Sequence, residues 1–138
     1  MKYMLILNGD ENTESGAMPS EEDLSAMGRY NEELIKDGVL LAGEGLHPSS
    51  TGARIEFDGD DRTVTDGPFT ETKELIAGFW IIQAGSKEEA IERARRAPLK
   101  AGRIEVREIF DVSEFDQTNE FVQKEVQWRE QTGQSRTA

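Results

Sequence analysis

The sequence contains no cysteine and a single histidine, His47. The first absence excludes disulfides, thiolate nucleophiles and cysteine-based zinc sites. The second excludes a multi-histidine metal centre within one chain. Long apolar runs are missing as well. Around the N-terminal stretch Tyr3 to Leu7 there is one cation and too few apolar residues for a signal peptide or a membrane span. The stretch reads instead as a buried strand, and the chain is expected to be cytoplasmic. Basic blocks are also lacking. Lys87, Arg93, Arg95 and Arg96 fall on one predicted helix, but Glu88, Glu89 and Glu92 are interleaved with them. Such a face is solvated and is no nucleic-acid footprint.

Negative charge, by contrast, is abundant. The 138 residues include 28 acidic and 16 basic ones, for a net charge of −12. A surface this acidic repels phosphate backbones, so neither nucleic acid nor a membrane is expected as a partner. With 36% hydrophobic and 32% charged residues, the chain suits one soluble domain with a substantial core.

Hydrophobic periodicity then orders the elements. Tyr3 to Leu7 predicts a central strand, and Gly9 to Pro19 a loop. Ser20, with Asp23 three residues on, starts a helix whose Leu24, Met27, Leu34 and Ile35 recur near helical spacing until Gly38. Val39 to Ala42 predicts a second strand, ending in Gly43-Glu44-Gly45. Asp58-Gly59-Asp60-Asp61, flanked by Ile55 and Phe57 and by Thr63 and Val64, predicts a hairpin. Phe79 to Ile82 is the next strand core. Ser86-Lys87-Glu88-Glu89 caps a helix with Ala90, Ile91 and Ala94 inward and Glu89–Arg93 and Glu92–Arg96 pairs outward, and Pro98 ends it. A last strand runs from Ile104 to about Phe110. From Ser113 a further helix is expected with Phe115, Val122 and Val126 on one stripe, and residues 131–138 should be loose.

The expected fold class is therefore α+β: a ferredoxin-like split βαβ with an inserted β-hairpin and a C-terminal helix. Residues 1–112 form its body and residues 113–138 an extension. Two helices cover only one face of four strands, so the other needs cover. A homodimer closing that face is the economical solution.

Val64-Thr65-Asp66-Gly67-Pro68-Phe69-Thr70-Glu71-Thr72-Lys73-Glu74 resembles the signature of the DGPF family within the YCII-related group. Lys2 to Glu11, Gly38 to Leu46 and Ile104 to Ile109 look like that family's opening, second and closing strands. The resemblance implies a dimeric α/β barrel, two ferredoxin-like sheets packed face to face. It implies no general activity. Some members carry a His–Asp pair suspected of acid–base chemistry; the matching positions here hold Met27 and Ala97, so that chemistry does not transfer. Some members also occur beside or joined to sigma-factor-like regulators.

The candidate site residues follow from the stiff Asp66-Gly67-Pro68 turn. Asp66 either accepts a substrate proton or shapes the turn through nearby amides. Glu71 is a candidate general base, and Lys73 would steer an anionic ligand. Glu44 lies between Gly43 and Gly45, which either admit a ligand to the backbone or serve strand curvature. Arg107 either binds a ligand carboxylate or pairs with Glu105 or Glu108. Asp10 and Glu11 could join the pocket or bind a divalent cation with Glu44, although no EF-hand-type ligand spacing is present. His47 reads as exposed. Tyr3, Phe79 and Trp80 read as core or interface. No metal and no cofactor are expected. The functional expectation is a small polar or anionic metabolite bound in a cleft lined by Glu44, Asp66, Glu71 and Lys73, with cofactor-independent proton transfer as the chemistry. The alternative is a non-catalytic dimeric regulatory or accessory module with a protein partner.

Overall fold

The computed structural model describes residues 1–134. The chain runs β1 (Lys2–Asn8), α1 (Glu11–Glu14), α2 (Glu21–Lys36), β2 (Leu40–Gly45), β3 (Ala53–Asp58), β4 (Asp61–Asp66), β5 (Ile76–Gln83), α3 (Lys87–Arg95), β6 (Ile104–Glu108) and α4 (Glu120–Gln131). One antiparallel sheet has the order β2-β5-β1-β6; β3 and β4 form a separate hairpin. Without the hairpin this is the ferredoxin-like arrangement, reached because each helix returns the chain to the far side of a strand already laid down.

Register divides the sheet residues between its faces. Leu40–Ile82–Tyr3, Gly43–Trp80–Leu5–Val106 and Gly45–Gly78–Leu7–Ile104 form rows on the helix side. There Tyr3, Leu5, Trp80 and Ile82 pack with Tyr30 and Leu34 of α2 and Ala90 of α3 in the buried core. Ala42–Ile81–Met4–Arg107 and Glu44–Phe79–Ile6–Glu105 form the rows of the opposite face. Its apolar side chains are only half-buried.

The caps follow the sequence closely. Ser20 accepts from the Asp23 amide and Ser86 from the Glu89 amide. Glu89 departs from its expected partner. Its carboxylate accepts from the Gly85 amide at 2.7 Å, and Arg93 bridges instead to Asp37 at the end of α2. Tyr30, missed by the apolar stripe, is buried and donates its hydroxyl to the Arg93 carbonyl at 2.9 Å. Leu24 and Ile35, expected inward, are exposed.

Other boundaries differ. The stretch expected to be a loop contains α1, because Asp10 and Thr13 cap each other reciprocally. β2 continues through Gly43-Glu44-Gly45, since β5 pairs with it as far as Gly78. The C-terminal helix begins at Glu120, not near Ser113; a 3-10 turn at Val112–Glu114 and an Asn119 cap intervene. Of the tail expected to be loose, Gln134 is tied by its amide to the Arg129 carbonyl, and residues 135–138 lie outside the described residues. Gly133 and Gln134 border a cavity of about 390 Å³ with Lys2, Leu41, Ala42 and Ile81, so the end of α4 reaches the sheet face opposite α2 and α3.

Asp111 fixes the turn between β6 and α4. Its carboxylate accepts from the Ser113 amide at 2.9 Å, and its own amide donates to Glu114. The Ser113 hydrogen bonds hold its carboxyl below the usual value; Lys2 and Arg129 help, and partial burial opposes. A depressed carboxyl stabilises the fold above its unfolded value, roughly 3.9, and that contribution fades as pH falls through the folded value. The Ser113 amide resonance is expected to titrate with a midpoint below the ordinary aspartate range. A midpoint inside or above that range would remove the cap from this account.

Candidate functional site

The signature loop is built as a clasp. Gly67 packs so closely on the Ser49 backbone that an added Cβ would overlap the Ser49 carbonyl oxygen, and the Gly67 amide donates to the Gly52 carbonyl at 3.0 Å. The Gly67–Pro68 peptide is cis. Ser49 then joins three segments: its amide and hydroxyl both donate to the Glu14 carboxylate, and its Oγ accepts from the Phe69 amide at 3.0 Å. Arg54 of β3 lies 3.8 Å over the Phe69 ring and bridges to Glu74 at 3.2 Å. Every named group of this clasp serves another part of the loop.

The five candidate side chains do not converge. Asp66 ends β4 fully in solvent, and among the described residues its carboxylate has no hydrogen-bond or ion-pair partner. Glu71 is exposed likewise; its carbonyl accepts from the Glu74 amide. Lys73 borders an open cleft with Asn8, Asp10, Glu11 and Arg103, so Asp10 and Glu11 do join it, away from Glu44. Arg107 lies on the sheet face away from the helices and pairs with Glu105 of its own strand at 3.1 Å. Glu44 alone borders the cavity described next. His47 is exposed. Among the described residues no group of three or more acidic or histidine side chains is placed to hold a metal ion.

A cavity of about 380 Å³ lies between α2 and the β2–β5 edge of the sheet. Three glycines make its floor. Gly43 lies under the Trp80 ring, 3.2 Å from Cδ1 for an added Cβ. An added Cβ on Gly78 would stand 2.7 Å from the Glu44 carbonyl oxygen, whereas one on Gly45 would meet nothing within 4 Å. Gly45 therefore leaves space below α2 that a side chain would fill, whereas Trp80 and the Glu44 carbonyl already occupy the room at Gly43 and Gly78. Met27, Asn31 and Ile35 of α2 form the roof, at i, i+4 and i+8 on one helix face. Leu7, Leu40 and Trp80 complete apolar walls.

Trp80 is the fixed wall of this cavity. Its Nε1–H donates to Asn31 Oδ1 at 2.8 Å, and the Tyr30 ring meets it edge-on at 5.6 Å. Burial raises the Tyr30 hydroxyl above its ordinary value, with Glu33 adding to it and Arg93 and Arg96 opposing. Tyr30 therefore remains a neutral donor at physiological pH. Sequence reading offered Gly43 and Gly45 as glycines that admit a ligand but missed Asn31 and Gly78. The only signal for them was three glycines at facing positions, and these are visible as facing only once β2 and β5 are paired.

The chain belongs to the YCII-related domain family, whose model matches residues 1–113. An uncharacterised protein of Rhizobium meliloti (strain 1021) is 34% identical over 115 residues, covering 78% of this chain and 90% of that one. Among solved structures the chain is similar to 5-chloro-2-hydroxyhydroquinone dehydrochlorinase from Burkholderia phenoliruptrix AC1100, in complex with 2,5-dihydroxybenzoquinone. The identity is 16% and the TM-score 0.44, with 84% of this chain and 100% of that chain covered. Met27, at the position where the resemblance would put a histidine, roofs the cavity; Ala97 packs against the core.

Gly67→Ala should destabilise by about 1–3 kcal/mol, the usual cost of forcing an extra carbon into a packed site. Denaturant unfolding measures it. A variant as stable as the wild type would mean that the Ser49 contact yields freely.

Proposed function

We propose that the protein binds a small molecule in the cavity between α2 and the β2–β5 edge. The observation that carries this reading is the cavity itself. Its volume lies within the range of ligand sites, and its apolar walls surround a few polar groups. Glu44 is the one sequence candidate at the border of the cavity, but its row lies on the sheet face away from α2, so the reading rests on binding and assigns it no proton transfer. Lys73 lies on a different cleft, so this reading no longer needs the anionic metabolite that Lys73 suggested.

Uncharged metabolites at about 100 times their Kd should raise unfolding stability by roughly 2.7 kcal/mol and shift the Trp80 indole N–H resonance. Removing the exposed Trp128 as Trp128→Phe leaves that resonance the only indole signal. Ligands that perturb only the Asp10–Lys73–Arg103 cleft would overturn the choice of cavity.

The reading includes a homodimer closed through the face that carries Met4, Ile6, Phe79 and Ile81, giving the two-sheet barrel. Half-buried apolar rows on that face support it. Sedimentation should give a dimer for the wild type and a single folded chain for Met4→Glu. An unchanged mass for the variant would sink the proposed interface. A second reading, a non-catalytic accessory module, draws on the β3–β4 hairpin, where Ile55, Phe57 and Val64 are 55%, 69% and 64% exposed on one face. A face of this kind commonly meets a protein.

A further inference from the structure

The cavity's chemistry narrows the ligand. We infer that it takes a flat, uncharged one- or two-ring molecule with a hydrogen-bond acceptor, such as a ring carbonyl, received by the side-chain amide of Asn31; this rests on the small-molecule reading above.

Shape comes first. Gly45 presents open backbone on one side, and the Trp80 ring, packed against Gly43, is held in place by Tyr30 and Asn31. A slot with a backbone floor and ring or thin aliphatic walls favours a planar body, which gains stacking with Trp80 in addition to apolar burial.

Polarity comes second. An indole nitrogen can only donate, so Trp80 forces the oxygen of Asn31 to face it and the nitrogen to face away. Among the described residues neither hydrogen on Asn31 Nδ2 has a partner, and Asn31 is half-buried on the cavity lining. A ligand acceptor placed there satisfies a donor that an apolar ligand would strand, and stranding it costs about 1–3 kcal/mol.

Charge comes third. No cation lines the cavity, and Glu44, the only ionisable residue at its border, belongs to a row on the sheet face away from α2. A carboxylate or phosphate entering the cavity would lose water and gain no counter-charge. A cationic ligand would likewise lose water and would leave the Asn31 donor unmet.

The test titrates three probes of similar size into the Trp128→Phe protein, following the Trp80 indole resonance: chromone (neutral, one ring carbonyl), naphthalene (no acceptor) and 1-naphthoate (anionic). Chromone should bind at least about tenfold more tightly than either, the value of roughly one satisfied hydrogen bond. Asn31→Asp keeps an oxygen for Trp80 but removes the donor, and should erase most of that preference. Gly45→Leu, placed where an added side chain meets open space, should abolish binding while the thermal midpoint stays near that of the parent.

The failures separate. Tighter binding of naphthoate that Gly45→Leu abolishes overturns the ligand class and leaves the cavity standing. Chromone bound no better than naphthalene, or unaffected by Asn31→Asp, overturns the role of Asn31. If no probe binds, or if binding survives Gly45→Leu, both this inference and the cavity reading fall.

Discussion

The fixed position of Trp80 is the constraint on which the rest of the molecule turns. The residue sits on β5, the strand paired to both β1 and β2, and it takes three kinds of contact at once. Gly43 gives its ring room on the sheet, Asn31 holds its nitrogen, and the Tyr30 ring packs against it at 86°. Two of these three residues belong to α2, so the same contacts set the height of that helix above the sheet. Tyr30 then passes the constraint on by donating to the Arg93 carbonyl in α3. Both helices are thus referred to one indole ring. The cavity is the space left where α2 continues past the ring over Gly45, which carries no side chain.

The signature loop has a different part in this economy. Its glycine, phenylalanine and glutamate are occupied with Ser49, Arg54 and each other, and Ser49 is occupied with Glu14. The clasp joins the open end of the β3–β4 hairpin to α1, two parts of the chain that no sheet hydrogen bond connects. It anchors a hairpin that the main sheet does not hold. A motif that stands out in a sequence need not be where the chemistry is: here a crowded turn accounts for Gly67, while the cavity depends on glycines with no motif around them.

Much of the fold was legible because its signals are local. Ser20 and Ser86 mark helix starts by their own hydroxyls, Gly59 closes a two-residue turn, and the alternation of Ile104 and Val106 with Glu105 and Arg107 gives a strand with one polar face. Where local signals compete, the reading slipped. Gly43 and Gly45 break strand propensity, yet pairing with β5 overrides it. Glu89 had two partners in reach, and the Gly85 amide outcompetes Arg93. The candidate site was less legible still. Asp66, Glu71 and Lys73 are neighbours in sequence, but they face solvent or separate clefts, whereas Asn31, Gly45 and Trp80 meet only through tertiary packing.

Overall charge and cavity chemistry point the same way. With a net charge of −12, the protein sets up a negative potential that lowers the local concentration of anions within about one Debye length, roughly 8 Å at physiological ionic strength. The cavity lies at the sheet edge with Glu44 at its border, so an anionic ligand would meet repulsion on approach and find no cation on arrival. A neutral ligand meets neither penalty. Its affinity must come from apolar burial, ring contact with Trp80 and the Asn31 donor, forces that salt screens little. Binding in this cavity should therefore vary little with ionic strength, while the same acidic surface keeps the exposed apolar hairpin from drawing like-charged chains together.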